Sequence, residues 1–468
     1  MPGAHPGAEP SVSFRDPAGR LVVTDGRVLR FVNAGAAEAL TSFLHSTTAR
    51  ALVAEDSLVR AEVLVEELGP ELVLEHERIT WPSYPYEWPV EMLHSAAVRT
   101  LDIAERLLPE GYGLKDATPY NILFRGPRPV FVDWLSFERR RPEDPTWIAG
   151  SQFNRTFLLP LLVAKRLKTP PQPFLLARRD GLEPEEVYRW LSPLGRLAPD
   201  ALSLVSIPAW LSKRQEPTDV SIYRPRLCKD RDQAGFVLRA LFRRLRRALA
   251  RLEPGQDGKS AWAGYMEGHN NYTQEQFQAK ERFVAEAVAR LAPSSVLDVG
   301  CNTGHFSRLA ARCGAEEVVA IDSDPVAAGR LWRTASAEKL NILPLVVDIT
   351  RPSPGVGWRN RECPGFLERA ANRFDAVLCL AVLHHVLVSE RVPLEDFLDL
   401  VAELTRNIAI VEFVAPEDSM FRAIARGRDE LHRDLNTGSF EAECARRFRI
   451  DRSLRLPGSH RWLYLLRR

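Results

Sequence analysis

Three aspartates close three successive apolar runs in the C-terminal half: Asp298 in SVLDVG, Asp322 in EVVAID and Asp348 in ILPLVVDI. Each run has the length and β-branched content of a buried strand, so each acid falls at a strand's carboxyl end. Ligands of an open parallel sheet sit past those ends, where the strand order reverses. After Asp298 the chain turns through Gly300, Cys301, Asn302 and Gly304 and enters a helix-like run at His305. Glycine lets backbone come close to a ligand, and the free N–H groups of a helix start suit a carboxylate or phosphate. At the second strand's end a carboxylate can accept both ribose hydroxyls. At the third, a side chain can reach an adenine edge. Each acid alone also reads as a helix cap or turn residue. Three at successive strand ends point instead to a nucleoside-type cofactor.

A second constellation lies in GLKDATPYNILF and PVFVDW. Asp116 and Asn121 are five apart, and Asp133 follows twelve further on at a strand end. This resembles the catalytic loop and metal-binding acid of protein kinase-like and aminoglycoside-phosphotransferase-like folds. The resemblance implies that Asp116 orients a hydroxyl while Asn121 and Asp133 hold magnesium. Several departures count against the chemistry. Leu114 and Lys115 precede Asp116, no glycine-rich phosphate loop stands upstream, residues 1–114 contain no lysine, and Trp134 follows Asp133. The three residues are therefore read as a kinase-like remnant or binding module, and no metal site is expected.

The elements that must position these residues divide the chain. A length of 468 residues exceeds one ordinary core. Apolar residues make up 45% and charged residues 26%, with a net charge of +2, so nothing global argues for a nucleic acid or membrane partner. Six scattered cysteines form no CxxC pair and do not alternate with histidine at ligand spacing, so neither a disulfide framework nor a zinc site is suggested, and reduced thiols in a cytosol fit best. The start has no apolar core, and the longest apolar run, Phe157 to Ala164, is broken by Pro160 and too short for a bilayer. No membrane span and a cytoplasmic location are the expectations.

Residues 1–18 read as a flexible tail. Residues 19–170 read as an α+β domain, with strand-like runs at RLVVTDGRVLRFV, RALVAEDSLV and AEVLVEEL and a helix at VEMLHSAAVRTLDIAERLL. Residues 171–257 are a Pro-rich helical linker ending in FVLRALFRRLRRALARL, whose leucines share one face and whose arginines fill the other. From 258 to 468 strand-like and helix-like runs alternate, the pattern of a parallel sheet wound with helices. The tail, SLRL and WLYLLRR joined at PGS, reads as a closing hairpin.

The glycine turn and its acids resemble class I S-adenosylmethionine-dependent methyltransferases over roughly residues 260–468. The implied fold is α/β: a doubly wound, Rossmann-like methyltransferase sheet with a terminal antiparallel hairpin, preceded by an α+β kinase-like domain. The implied cofactor is S-adenosyl-L-methionine. Its implied binding residues are Asp298, Gly300, Cys301, Asn302, Gly304, Asp322, Ser323, Asp348, Ile349, Leu380 and Ala381, with Val382 beside them. Asn302 stands where the family usually has a second glycine. GxGxxG is absent, which disfavours an NAD-binding sheet.

Methyl transfer is a displacement at a sulfonium carbon, so the protein mainly aligns a nucleophile and excludes water. A hydroxyl or amine acceptor also needs its proton taken. His384 and His385 follow the fourth strand and Glu412 ends the fifth, and these are the candidate bases. Upstream of the first strand, Trp262, Tyr265, His269, Tyr272 and Lys280 form an aromatic and polar cluster; the methyltransferase resemblance implies that this segment folds over the cofactor, with Tyr265 and Tyr272 closing the site. The acceptor is expected to be a small molecule or glycan rather than nucleic acid. The two halves together are similar to a bacterial group that includes nodulation-type methyltransferases, which implies a biosynthetic or surface-glycan setting. A bifunctional phosphotransferase and methyltransferase, an RNA methyltransferase suggested by the Arg-rich helix, and a non-catalytic scaffold remain as alternatives.

Overall fold

The computed structural model describes residues 15–24, 26–64, 72–212, 227–255 and 272–468. The chain forms two compact units. One comprises residues 1–254 with 356–363, and the other residues 255–355 with 364–468.

The first unit carries a four-stranded antiparallel sheet in the order β1 (Gly19–Thr24), β2 (Arg27–Val32), β4 (Leu72–His76), β3 (Ala61–Leu64). Two small antiparallel pairs follow. One joins β5 (Tyr112–Leu114) to β8 (Phe137–Arg139), and the other is the hairpin of β6 (Ile122–Arg125) with β7 (Arg128–Phe131). The helix Val90–Leu107 buries Leu93, Ala97, Leu101 and Ala104 at helical spacing. It packs against the helix Arg231–Leu252, which buries Leu238, Phe242, Leu245 and Leu249. Arg246 on that helix reaches Asp102 and Glu105, so part of the basic face is internally paired.

One run departs from its expected element. RALVAEDSLV was expected as a strand, but Thr47–Ala54 is a helix. The Ser46 hydroxyl accepts a hydrogen bond from the Ala49 N–H at 3.0 Å, which caps a run whose alanines favour helix over strand. Only its end is extended, where Val59 N–H donates to the Phe131 carbonyl at 2.9 Å.

The second unit holds a seven-stranded sheet. Its order is β11 (Ile342–Val346), β10 (Glu317–Asp322), β9 (Ser295–Val299), β12 (Phe374–Cys379), β13 (Thr405–Val414), β15 (Arg461–Arg467), β14 (Arg449–Arg455). The first five run parallel, β15 pairs antiparallel with β13, and β14, antiparallel to β15, runs in the direction of the first five. Every residue of β9 is buried, as a parallel strand covered on both faces requires. The chain steps outward from β9 through β10 to β11, then returns to the other side of β9 with β12. The carboxyl end of β9 is thus the switch point, and Asp298 and the glycine turn are there.

Candidate functional site

At that switch point a cavity of about 370 Å³ opens. Its lining includes Asp298, Gly300, Cys301, Asn302, Asp322, Ser323, Asp348, Ile349, Leu380, Ala381, Tyr272, His384 and His385. Gly304 and Glu412 are outside the lining. Tyr265, with Trp262 and His269, lies outside the described residues.

The turn after β9 explains its own composition. Gly300 and Gly304 adopt φ of 68° and 78°. A Cβ at Gly300 would fall 2.4 Å from Val382 Cγ2, and one at Gly304 2.1 Å from Leu331 Cδ1. Gly304 therefore acts from behind the cavity, letting the helix His305–Arg312 pack closely. Asn302 stands at φ 49°, a left-handed conformation that asparagine tolerates better than other side chains. Its own carboxamide oxygen accepts from the Thr303 N–H at 2.7 Å. The departure from glycine is thus chemically conservative.

Asp322 is held by backbone. Its Oδ2 accepts from Asn302 N–H and its Oδ1 from Asp324 N–H, both at 2.8 Å. Each oxygen keeps a lone pair for another donor, which is what a pair of vicinal hydroxyls would use. Burial raises its pKa against those two hydrogen bonds. Asp298 is 2% exposed and accepts from Ser307 Oγ at 2.6 Å. Burial pushes its carboxyl up to about 7. Asp348 is different. Burial raises its pKa, but bonds from the Thr350 hydroxyl and N–H and the Arg351 guanidinium outweigh this and hold it below the usual range. The donor set, the missing Cβ atoms and the lone pairs fit a cofactor with an adenosine and an amino-acid end.

At the other end of the cavity stands a buried ionic group. Lys280 Nζ lies 2.6 Å from Glu412 Oε2, and the Tyr272 hydroxyl donates to Glu412 Oε1 at 2.7 Å. Lys280 and Arg461 also stack on the Tyr272 ring, at 4.7 and 4.5 Å from its centroid. Glu412 is fully buried behind Tyr272 and Lys280, both of which line the cavity. The sequence places Lys280 only in the aromatic and polar cluster before β9 and pairs it with no acid. Its signal was a lysine on a buried helix face, visible only once a partner on β13 is known. His384 is 3% exposed, and its Nδ1 has no hydrogen-bond partner. Burial first, then His385, Arg461 and Lys280, lower its pKa well below the ordinary value, so it is a neutral imidazole. Burial lowers His385 as well. Ala381, just before them, is held at φ 59°, a strained position for a non-glycine residue beside a site.

In the first unit the other three residues, Asp116, Asn121 and Asp133, do come together. Asp133 Oδ1 lies 3.0 Å from Arg30 Nη1 on β2, and Oδ2 accepts from Ser136 Oγ at 2.5 Å. Asn121 Nδ2 donates to the same Ser136 hydroxyl at 3.0 Å. Burial and then Asp133 raise the pKa of Asp116. Among the described residues, no group of three or more His, Cys, Asp or Glu could hold a metal ion.

A family model described as a methyltransferase domain matches residues 238–454. The nodulation protein NoeA of Rhizobium meliloti (strain 1021) is 33% identical over 466 residues, which cover 97% of this chain and 95% of that protein. The chain belongs to the NoeA family. It is an S-adenosylmethionine-dependent methyltransferase. Among solved structures, the N-methyltransferase NodS from Bradyrhizobium japonicum WM9, in complex with S-adenosyl-L-homocysteine, is 14% identical. The match covers 45% of this chain and 93% of that one, with a TM-score of 0.32. Magnesium protoporphyrin IX methyltransferase from Synechocystis PCC 6803, with S-adenosylmethionine bound, is 20% identical over 44% of this chain and 88% of its own, with a TM-score of 0.30. No helix among the described residues of this NoeA-family chain is long and apolar enough to cross a membrane.

Proposed function

We propose that the cavity at the end of β9 holds the methyl donor and that the methyl group passes to a small-molecule or glycan-type acceptor. The observation that carries the cofactor assignment is Asp322, a carboxylate in the cavity wall with one backbone donor on each oxygen and no ion pair to a side chain among the described residues. Asp322 receives the ribose hydroxyls, Asp348 and Ile349 border the adenine, and Leu380 and Ala381 flank the methionine end. S-adenosylmethionine supplies a methyl carbon already activated by a positive sulfur.

The protein's work is therefore alignment and exclusion of water. Tyr272, fixed by Glu412 and Lys280, forms one wall for the nucleophile. His384, neutral and unpartnered at Nδ1, lines the cavity and accepts a hydrogen bond from the acceptor's O–H or N–H. Glu412 serves as a positioning residue, because Tyr272 and Lys280 occupy its carboxylate oxygens. The first unit contributes to acceptor recognition and does not transfer phosphate, since Arg30 neutralises Asp133. The likeness to a nodulation protein favours an acceptor from glycan-type biosynthesis.

Calorimetric titration with S-adenosylmethionine and S-adenosylhomocysteine tests the reading. Saturable micromolar binding of both is expected. Absence of binding by either would remove the cofactor assignment and, with it, the transfer.

A further inference from the structure

The helix Leu383–Val388 and the loop after it are walls of two cavities. His384, His385, Ser389 and Glu390 line the first, described above. Leu387, Val388, Arg391 and Val392 line a second, of about 320 Å³. That volume is within the range of small-molecule sites, roughly 300–1,000 Å³. Its remaining walls come from the start of the helix Leu394–Leu404 and from the segment after the helix Ser419–Ala425, including Arg428, Leu431, Asp434 and Leu435. The floor is aliphatic. Leu431 is 74% exposed at the edge and extends the apolar surface outward.

The charge around this floor is uneven. Arg391 and Arg428 flank it, and neither is paired with a carboxylate among the described residues. Among the described residues, the Arg428 guanidinium makes a 3.3 Å bond from Nε to the Ala425 carbonyl. Elsewhere in the unit, guanidinium groups are commonly matched, as Arg447 is with Asp399 and Arg467 with Asp451. Asp434 is the one acid in the lining and forms no ion pair with either arginine. Arg391 is also held at φ 57°, which fixes its backbone in a conformation side chains rarely adopt.

We propose that this groove is a second binding site, for an alkyl or acyl chain that carries an anionic headgroup. The aliphatic floor takes the chain, and Arg391 and Arg428 take the head. Hydrophobic transfer supplies the affinity and the arginines orient the ligand. The site is separated from the methyl-donor cavity by one short helix, about 10 Å across. A ligand seated there is therefore placed to present its far end to the transfer site. That last step rests on the proposed function, whereas the binding itself does not.

The probe is dodecanoate, titrated calorimetrically into the full chain below its micellar concentration, with acetate and dodecyl maltoside as controls. Saturable binding of dodecanoate is expected, strengthening by roughly twofold or more per methylene from octanoate upward. The double variant Arg391→Glu/Arg428→Glu should weaken it about tenfold or more, and Asp434→Asn should tighten it. Val392→Asp should abolish it by charging the floor. All variants should keep wild-type affinity for S-adenosylhomocysteine, which shows that they fold and that the cofactor site is independent of this test. No saturable dodecanoate binding, or binding unchanged in both the double variant and Val392→Asp, overturns the proposal. Equal binding of dodecyl maltoside overturns the anionic head, and equal binding of acetate overturns the chain.

Discussion

Both units bring strand-end aspartates together, and they differ in what meets the carboxylates. In the second unit Asp298 and Asp322 line a cavity and are held by a serine hydroxyl and by backbone N–H groups. Neither forms an ion pair with a side chain among the described residues. In the first unit Asp133 faces the guanidinium of Arg30, itself 5% exposed, and shares Ser136 with Asn121. Arg30 is in turn braced against His76, a ring that burial and Arg30 hold neutral, lowered to about 3. A buried carboxylate needs compensation from somewhere. Where the chain supplies a cation, the acid becomes part of the scaffold. Where it supplies only dipoles, the acid is left with capacity for a ligand.

The most severe way to strain this contrast is to break a buried ion pair of the second unit, that of Lys280 with Glu412. Lys280→Met should cost about 3 kcal/mol of unfolding free energy, the lower end for a broken buried pair, because Glu412 keeps only the Tyr272 hydroxyl and Arg461 Nη1, 3.8 Å away, to meet its buried charge. The double variant Lys280→Met/Glu412→Gln should recover most of it. Urea denaturation measures both, and a single-variant loss under about 1 kcal/mol would show that the pair does not carry the site's architecture. Arg30→Met comes next. A cost of about 2–3 kcal/mol is expected in the first unit, below the fully buried case because Asp133 is part-exposed. Affinity for S-adenosylhomocysteine should not change. If Arg30→Met left stability intact, Asp133 would not depend on its arginine and the two acid sets would be alike.

Asp322→Ala probes the other half. It should weaken S-adenosylhomocysteine binding by about tenfold or more, while Asp133→Asn leaves that affinity as it was. Calorimetry separates the two, and equal effects would erase the distinction. The smallest expected effect concerns Asp298. With its carboxyl pushed up to about 7, it is mostly protonated at pH 6 and mostly ionised at pH 8. A ligand ammonium pairs only with the ionised form, so binding should tighten with rising pH. The gain should be about tenfold from pH 6 to 8 and level off above, with proton release at the lower pH. In Asp298→Asn the profile should be flat, and a flat wild-type profile would mean that Asp298 does not meet the ligand's charge.

Much of the second unit was legible in the chain. The alternation of strand-like and helix-like runs requires a covered parallel sheet, and SVLDVG followed by a glycine turn marks the switch point. Asn302 was legible as a departure, and its left-handed backbone gives the departure a reason. The first unit was less legible. ALVAEDSLV has an apolar content that suits strand or helix equally, and the choice fell to one local hydrogen bond, the Ser46 cap. AspxxxxAsn with a later Asp gave the right neighbours, since Asn121 and Asp133 meet through Ser136. It gave no hint of Arg30, which lies 103 residues from Asp133 in the numbering and reaches it only through the β2 strand.

Local sequence set the carboxyl ends of β9, β10 and β11, the two tight glycines and the closing hairpin, because each depends on near neighbours: strand periodicity, backbone freedom, turn chemistry. Tertiary structure alone decided which charges are paired. Glu412 looked like a base at a strand end, yet Lys280 and Tyr272, 132 and 140 residues away, close over it. Ion pairing between distant residues depends on distance and burial in space, and neither is encoded in spacing along the chain.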